Sequence, residues 1–80
     1  MDLLIAIQKY CDKLMEYNVY PKNKKPSLGK LEKMADLCML GKIRKLSRYI
    51  SKDLTKEQQD ELHALLDKIE EIVRNEKENV

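Results

Sequence analysis

Eighty residues suffice for one small domain, near the lower limit at which a single apolar core holds without disulfide or metal staples. Two cysteines are too few for a disulfide scaffold, and two glycines, two prolines, no Phe and no Trp argue against sheets. Hydrophobic residues at 42% exclude a disordered tail. The formal charge of +2 conceals a sorted distribution: residues 20–56 carry eleven Lys or Arg against three acids, and residues 57–80 carry three against eight, a polarity that points to a charged partner.

The first segment predicts a helix over 2–17. Leu3, Ile7, Tyr10, Leu14 and Tyr17 fall at spacings of 4, 3, 4 and 3, and Leu4 and Cys11 widen that face. Asp2 is placed to cap its start, and Asn18 followed by Pro21 ends it. The apolar run Leu3–Ile7 is too short for a signal-peptide core, lacks a basic stretch before it, and is followed by Lys9, Asp12 and Lys13. No run approaches the ~20 apolar residues of a membrane span. The expectation is a cytoplasmic protein with reduced thiols and no membrane contact.

Residues 18–26, with two prolines and three lysines, form a loop, and Ser27 is placed to cap the next helix. The middle admits two readings. Leu28, Leu31, Ala35, Met39, Ile43, Leu46 and Ile50 recur at about 3.7 residues, which one long helix satisfies. Yet Gly41 directly follows the apolar run 37–40, the usual sign of a helix C-terminus. The favoured fold class is therefore all-α: a compact bundle of four short helices, about 2–17, 27–40, 42–52 and 55–76, in one domain. The alternative has three helices, the middle one long, whether straight or kinked. In that alternative residues 34–40 exceed what two neighbours can cover, and a homodimer would cover the rest. Met34 and Met39, with Cys38, read as core filler rather than as an adaptable binding surface.

The last helix carries the clearest start. Thr55 and Gln58 have capping-box spacing, with Leu54 in the position of a hydrophobic staple. Leu62, Leu65, Leu66, Ile69, Ile72 and Val73 form its stripe, and residues 76–80 are expected to fray. No repeat is present, and heptad-like spacing is too brief for a coiled coil.

Catalysis is hard to assemble from these residues. Cys11 or Cys38 with His63 would be the one nucleophile pair, but both thiols lie on apolar stripes. The same three ligands lack the paired spacing of a zinc site. Glu70 and Glu71 are sequence neighbours that do not face each other, and Gly29 and Gly41 are isolated rather than part of a phosphate loop. No enzyme activity, cofactor or metal is expected.

The basic centre is the candidate site. Lys42, Lys45, Arg48 or Tyr49, and Lys52 recur at helical spacing opposite Ile43, Leu46 and Ile50. The loop bases Lys22, Lys24 and Lys25 extend that surface, and Lys30 and Lys33 join it if the helices pack side by side. The set singled out for partner contact is Lys22, Lys24, Lys25, Lys42, Arg44, Lys45, Arg48 and Tyr49. Outer faces of neighbouring helices point apart in a bundle, so most of this charge is left to water and suits steering toward a partner. The leading expectation is a small non-enzymatic protein-interaction module, regulatory or inhibitory. It would occupy a larger protein through the basic 22–52 region or the acidic 57–71 face. The alternative is nucleic-acid binding, with bases on the phosphate backbone and Tyr20 and Tyr49 stacking on bases. A pI near 8.5 falls below that of a typical DNA-binding domain. In segment 31–50 the glycine falls about two residues late for a helix-turn-helix.

Overall fold

A computed structural model describes residues 2–20 and 25–78 and is all-α in these segments. Four helices follow in order: α1 (Asp2–Glu16), α2 (Leu28–Met39), α3 (Arg44–Ser47) and α4 (Lys56–Glu78). Among the described residues no helix is long and apolar enough to cross a membrane.

Both early helices end in the same way. In α1, Asn18 adopts φ 60°, its N–H donates to the Met15 carbonyl at 3.1 Å, and the Val19 N–H reaches back to Leu14 at 2.9 Å. In α2, Gly41 adopts φ 79°, its N–H donates to Cys38 at 3.0 Å, and the Lys42 N–H reaches Leu37 at 2.9 Å. Each is a Schellman motif, in which one left-handed residue lets two amides satisfy carbonyls the helix leaves open. Gly41 therefore separates two helices, and the single long middle helix, with its argument for a second subunit, is not formed. Asn18 stops α1 by its own backbone conformation, three residues before Pro21.

The helix starts follow their side chains. Ser27 accepts from the Lys30 N–H at 3.3 Å. Thr55 and Gln58 exchange reciprocal bonds at 3.1 Å, the capping box read from the sequence. Leu54 is half-buried, but the residue opposite it in a staple is Gln59, whose amide donates to the Leu54 carbonyl at 2.9 Å. A polar bond replaces the apolar staple. The proposed Asp2 side-chain cap lies outside what the structure describes.

One cluster forms the core: Leu3, Ile7, Tyr10, Cys11 and Leu14 of α1, then Leu31, Met34, Ala35 and Cys38 of α2. Leu46 of α3 and Leu62, Leu66, Ile69 and Val73 of α4 complete it. Helix α1 packs against both α4 and α2. Ile5 and Ala6 share a groove with Ile72 and Asn75, while Tyr17 donates its hydroxyl to Glu61, and Lys13 sits 3.7 Å from the same carboxylate. The start of α1 thus lies beside the end of α4, so these helices are antiparallel. Cys38 and Gly41 lie beside Glu70, Val73, Arg74 and Lys77, so α2 ends at the same end of the bundle as α4.

Three expectations change. Leu28 is exposed rather than part of the stripe, because it occupies the first turn of α2 at the rim of the core. Helix α4 continues through Glu78, beyond the expected fraying point at 76. The helix predicted over 42–52 shrinks to the single turn Arg44–Ser47.

The last change lies in the local backbone, and one distant contact holds the segment in place. From Lys42 to Ile50 the backbone winds mainly through three-residue turns: Lys45 donates to Lys42, Leu46 to Ile43, Tyr49 to Leu46 and Ile50 to Ser47. The Ser47 hydroxyl donates to the Arg44 carbonyl at 2.7 Å, and Ser51 accepts from the Asp53 N–H at 3.1 Å; both divert the backbone from a regular helix. Across the core, the buried Tyr10 hydroxyl donates to the Leu46 carbonyl at 2.6 Å. That bond ties α1 to the segment, and the second lone pair of the same carbonyl takes the Tyr49 N–H at 3.2 Å where a regular α-helix would take that of Ile50.

Candidate binding surface

Three-residue turns flank the single α-turn of α3 in segment 42–50 and bear on which side chains align. In such turns, positions i and i+3 eclipse. Ile43, Leu46 and Tyr49 fall on one row and are half-buried or buried, while Lys42, Lys45 and Arg48 fall on another and are exposed. Arg44 and Lys52 are exposed as well, between and beyond these rows. The basic stripe anticipated for a regular helix therefore survives the loss of that helix.

Tyr49 is not free to stack on a base. Its ring packs against Tyr20 with centroids 5.9 Å apart and planes inclined at 60°, and both tyrosines are half-buried against the core. Lys30 caps the pair: its Nζ lies 5.1 Å from the Tyr20 centroid and donates to the Tyr20 hydroxyl at 2.6 Å. That hydroxyl holds the Lys30 ammonium above its ordinary pKa. The contact brings the start of α2 near Tyr49 at the end of the α3 segment, while α3 itself packs on α4. Lys25 and Lys33 are exposed, and among the described residues no hydrogen bond or ion pair joins them to this cluster. Lys22 and Lys24 lie outside the described residues.

Among the described residues three ion pairs occur: Lys13–Glu16 at 3.1 Å, Lys13–Glu61 at 3.7 Å and Arg74–Glu70 at 3.7 Å. None involves a base of segment 25–56. The acids of α4 at 57, 60, 61, 67, 70 and 71 are exposed. Glu61 stands between Tyr17 and Lys13. The Tyr17 hydroxyl, helped by Lys13, holds its carboxyl below the ordinary range.

The thiols are poor nucleophiles. Cys11 and Cys38 are each 2% exposed, and burial pushes both up to about 11, so neutral pH leaves almost no thiolate. The Cys11 sulfur lies 3.9 Å from that of Met34, and His63 is exposed on α4. Among the described residues no cluster of three or more His, Cys, Asp or Glu is placed to hold a metal. Segment 31–50 does not form a helix-turn-helix, since α3 has four residues and is too short to lie in a major groove.

Two bases were missed by reading charge along the chain. Arg74 and Lys77 belong by sequence to the acidic tail, yet they fold against Gly41 and Ile43 at the head of the basic segment. Their signal lay in the register of α4: Lys77 follows the core residue Val73 by four positions and shares its face. Comparisons with protein-family models, curated proteins and solved structures give no match to this chain.

Proposed function

We propose that this chain is a non-enzymatic protein-interaction module, regulatory or inhibitory, working in the cytoplasm. Its exposed basic row would engage an acidic surface of a larger protein. The observation that carries this reading is the row Lys42, Lys45 and Arg48, flanked by Arg44, with no ion pair to any described acid of the chain. Solvated bases held in a fixed row raise the encounter rate with an acidic partner and reject basic ones.

Protein is favoured over nucleic acid on three grounds. Tyr20 and Tyr49 are engaged with each other, which removes the stacking platform single-stranded binding uses. The one-turn α3 offers no groove-reading helix. The exposed acids of α4 repel a phosphate backbone wherever it extends past the basic row.

The test is affinity capture from nuclease-treated lysate with wild type and with the triple variant Lys42→Glu, Lys45→Glu, Arg48→Glu. Partners with acidic surfaces should be retained by wild type and lost by the variant. Loss of all bound material on nuclease treatment would instead support nucleic-acid binding, as would retention of wild type on nucleic acid that falls linearly with salt on logarithmic axes.

A further inference from the structure

The basic row stands on a segment that cannot order itself. Helix α3 spans four residues, too few to persist alone in water, and among the described residues no ion pair holds Lys42, Lys45 or Arg48. Resting on the reading above, we propose that Tyr20, Lys30 and Tyr49 form a clasp that positions this row, so that charge brings the acidic partner in and the clasp keeps it there.

Three separate parts of the chain close the clasp. Tyr49 directly follows Arg48, and its N–H donates to the Leu46 carbonyl, so its ring and the last base of the row share one turn. That ring meets Tyr20, beyond the end of α1, with centroids 5.9 Å apart. Lys30, in the first turn of α2, stands 5.1 Å from the Tyr20 centroid and donates to its hydroxyl at 2.6 Å. The Ser27 cap sets the Lys30 backbone in turn, accepting its N–H at 3.3 Å. Leu46, anchored by Tyr10, and Tyr49 bracket Arg48; the first anchor is in the core, and the second is half-buried near the surface. The second is therefore the one that can be loosened without opening the core.

Loosening the clasp changes order and leaves charge alone. Tyr20→Phe removes the acceptor of the Lys30 bond, Tyr49→Ala removes a ring, and every Lys and Arg stays in place, so the field that steers an acidic surface is unaltered. What changes is the number of arrangements the row must give up on docking. That entropic cost falls on the bound complex and weakens it, whereas a row already held in one arrangement avoids it. Tyr49 contributes its ring to the contact, and Tyr49→Phe retains that ring. Tyr20, Lys30 and Tyr49 are thus positioning residues, acting on the partner through Lys42, Lys45 and Arg48.

The probe is a synthetic Glu-Glu-Ala repeat peptide titrated at low salt into the isotope-labelled full chain. Wild type should bind it with amide shifts centred on residues 42–48. Tyr49→Ala should bind about fivefold and Tyr20→Phe about twofold more weakly, both with the wild-type dependence on salt, while Tyr49→Phe matches wild type. The two weakened variants should also lose amide-exchange protection over residues 46–50. Circular dichroism checks folding, and Tyr20→Phe, which keeps its ring, carries the test if Tyr49→Ala unfolds. Lost protection with undiminished binding would overturn the clasp and leave the charged row standing, as would protection unchanged in both variants. Tyr49→Phe weakened as much as Tyr49→Ala would assign the effect to the hydroxyl and overturn the clasp as well. No binding by wild type, or binding that survives Lys42→Glu, Lys45→Glu, Arg48→Glu, would overturn the reading beneath it too.

Discussion

The bond from Tyr10 to the Leu46 carbonyl ties α1 to the segment that bears the basic row, and removing one oxygen atom tests it. Tyr10 is 1% exposed, and its hydroxyl donates at 2.6 Å to a carbonyl that also accepts the Tyr49 N–H at 3.2 Å. In Tyr10→Phe the ring still fills the core and the carbonyl keeps one donor, so no buried group is orphaned. The loss should be near the net value of one hydrogen bond, about 1 kcal/mol, which for a chain of this size lowers Tm by roughly 4–8 °C. Tyr10→Ala adds the cavity and should cost about 3–5 kcal/mol. Urea denaturation followed by circular dichroism gives both values, and amide exchange should show lost protection centred on Leu46–Ile50 in Tyr10→Phe. Burial, with smaller contributions from Cys11 and Tyr49, holds the Tyr10 hydroxyl above its ordinary value of 10.0. The native state keeps a proton that the unfolded chain releases above that pH. This contribution is complete below about pH 10 and is lost as pH rises further. Wild type should therefore lose stability faster than Tyr10→Phe above pH 10, and the gap between them should narrow. A Tyr10→Phe change below about 0.3 kcal/mol, or parallel pH curves, would refute the reasoning.

Leu66→Ala should cost about 2–5 kcal/mol in the same assay, because Leu66 is 7% exposed in the core; a loss under about 1 kcal/mol would mean that its stripe faces elsewhere. Gly41→Ala should cost roughly 1–2 kcal/mol from backbone strain alone, since its Cβ would meet no neighbour, and a neutral result would contradict the left-handed turn. Cys11 and Cys38 should react slowly with a thiol reagent in native protein and quickly in denaturant. Their folded values near 11 exceed the ordinary 9.0, so their contribution is full below about pH 9 and disappears by about pH 11; rapid native labelling of either would place it at the surface.

The stripes of α1 and α4 and both N-terminal caps were legible because each is a local matter of spacing or of one side chain reaching three residues along. Gly41 was legible for the same reason, as a residue that accepts left-handed geometry. The shortening of α3 was not, because the periodicity of Ile43, Leu46 and Ile50 fits a helix; nor was the Tyr10 bond that holds the segment, which comes from 36 residues away. Leu28 misled in the opposite sense, continuing a stripe to the first turn of α2, where the core no longer reaches. In the candidate surface, Lys42, Lys45 and Arg48 could be chosen from spacing that three-residue turns also preserve. Tyr49 could be named but not its engagement with Tyr20. Arg74 and Lys77 were hidden in an acidic stretch until α2 and α4 brought their ends together.

The most direct measurement of the central claim is the association rate of a captured partner with wild type and with the Lys42→Glu, Lys45→Glu, Arg48→Glu variant, at low and at physiological salt. A solvated basic row that steers an acidic protein predicts association slowed at least about tenfold at low salt, a difference that shrinks as salt rises, and dissociation that changes much less. An association rate unchanged by the three reversals would contradict the account.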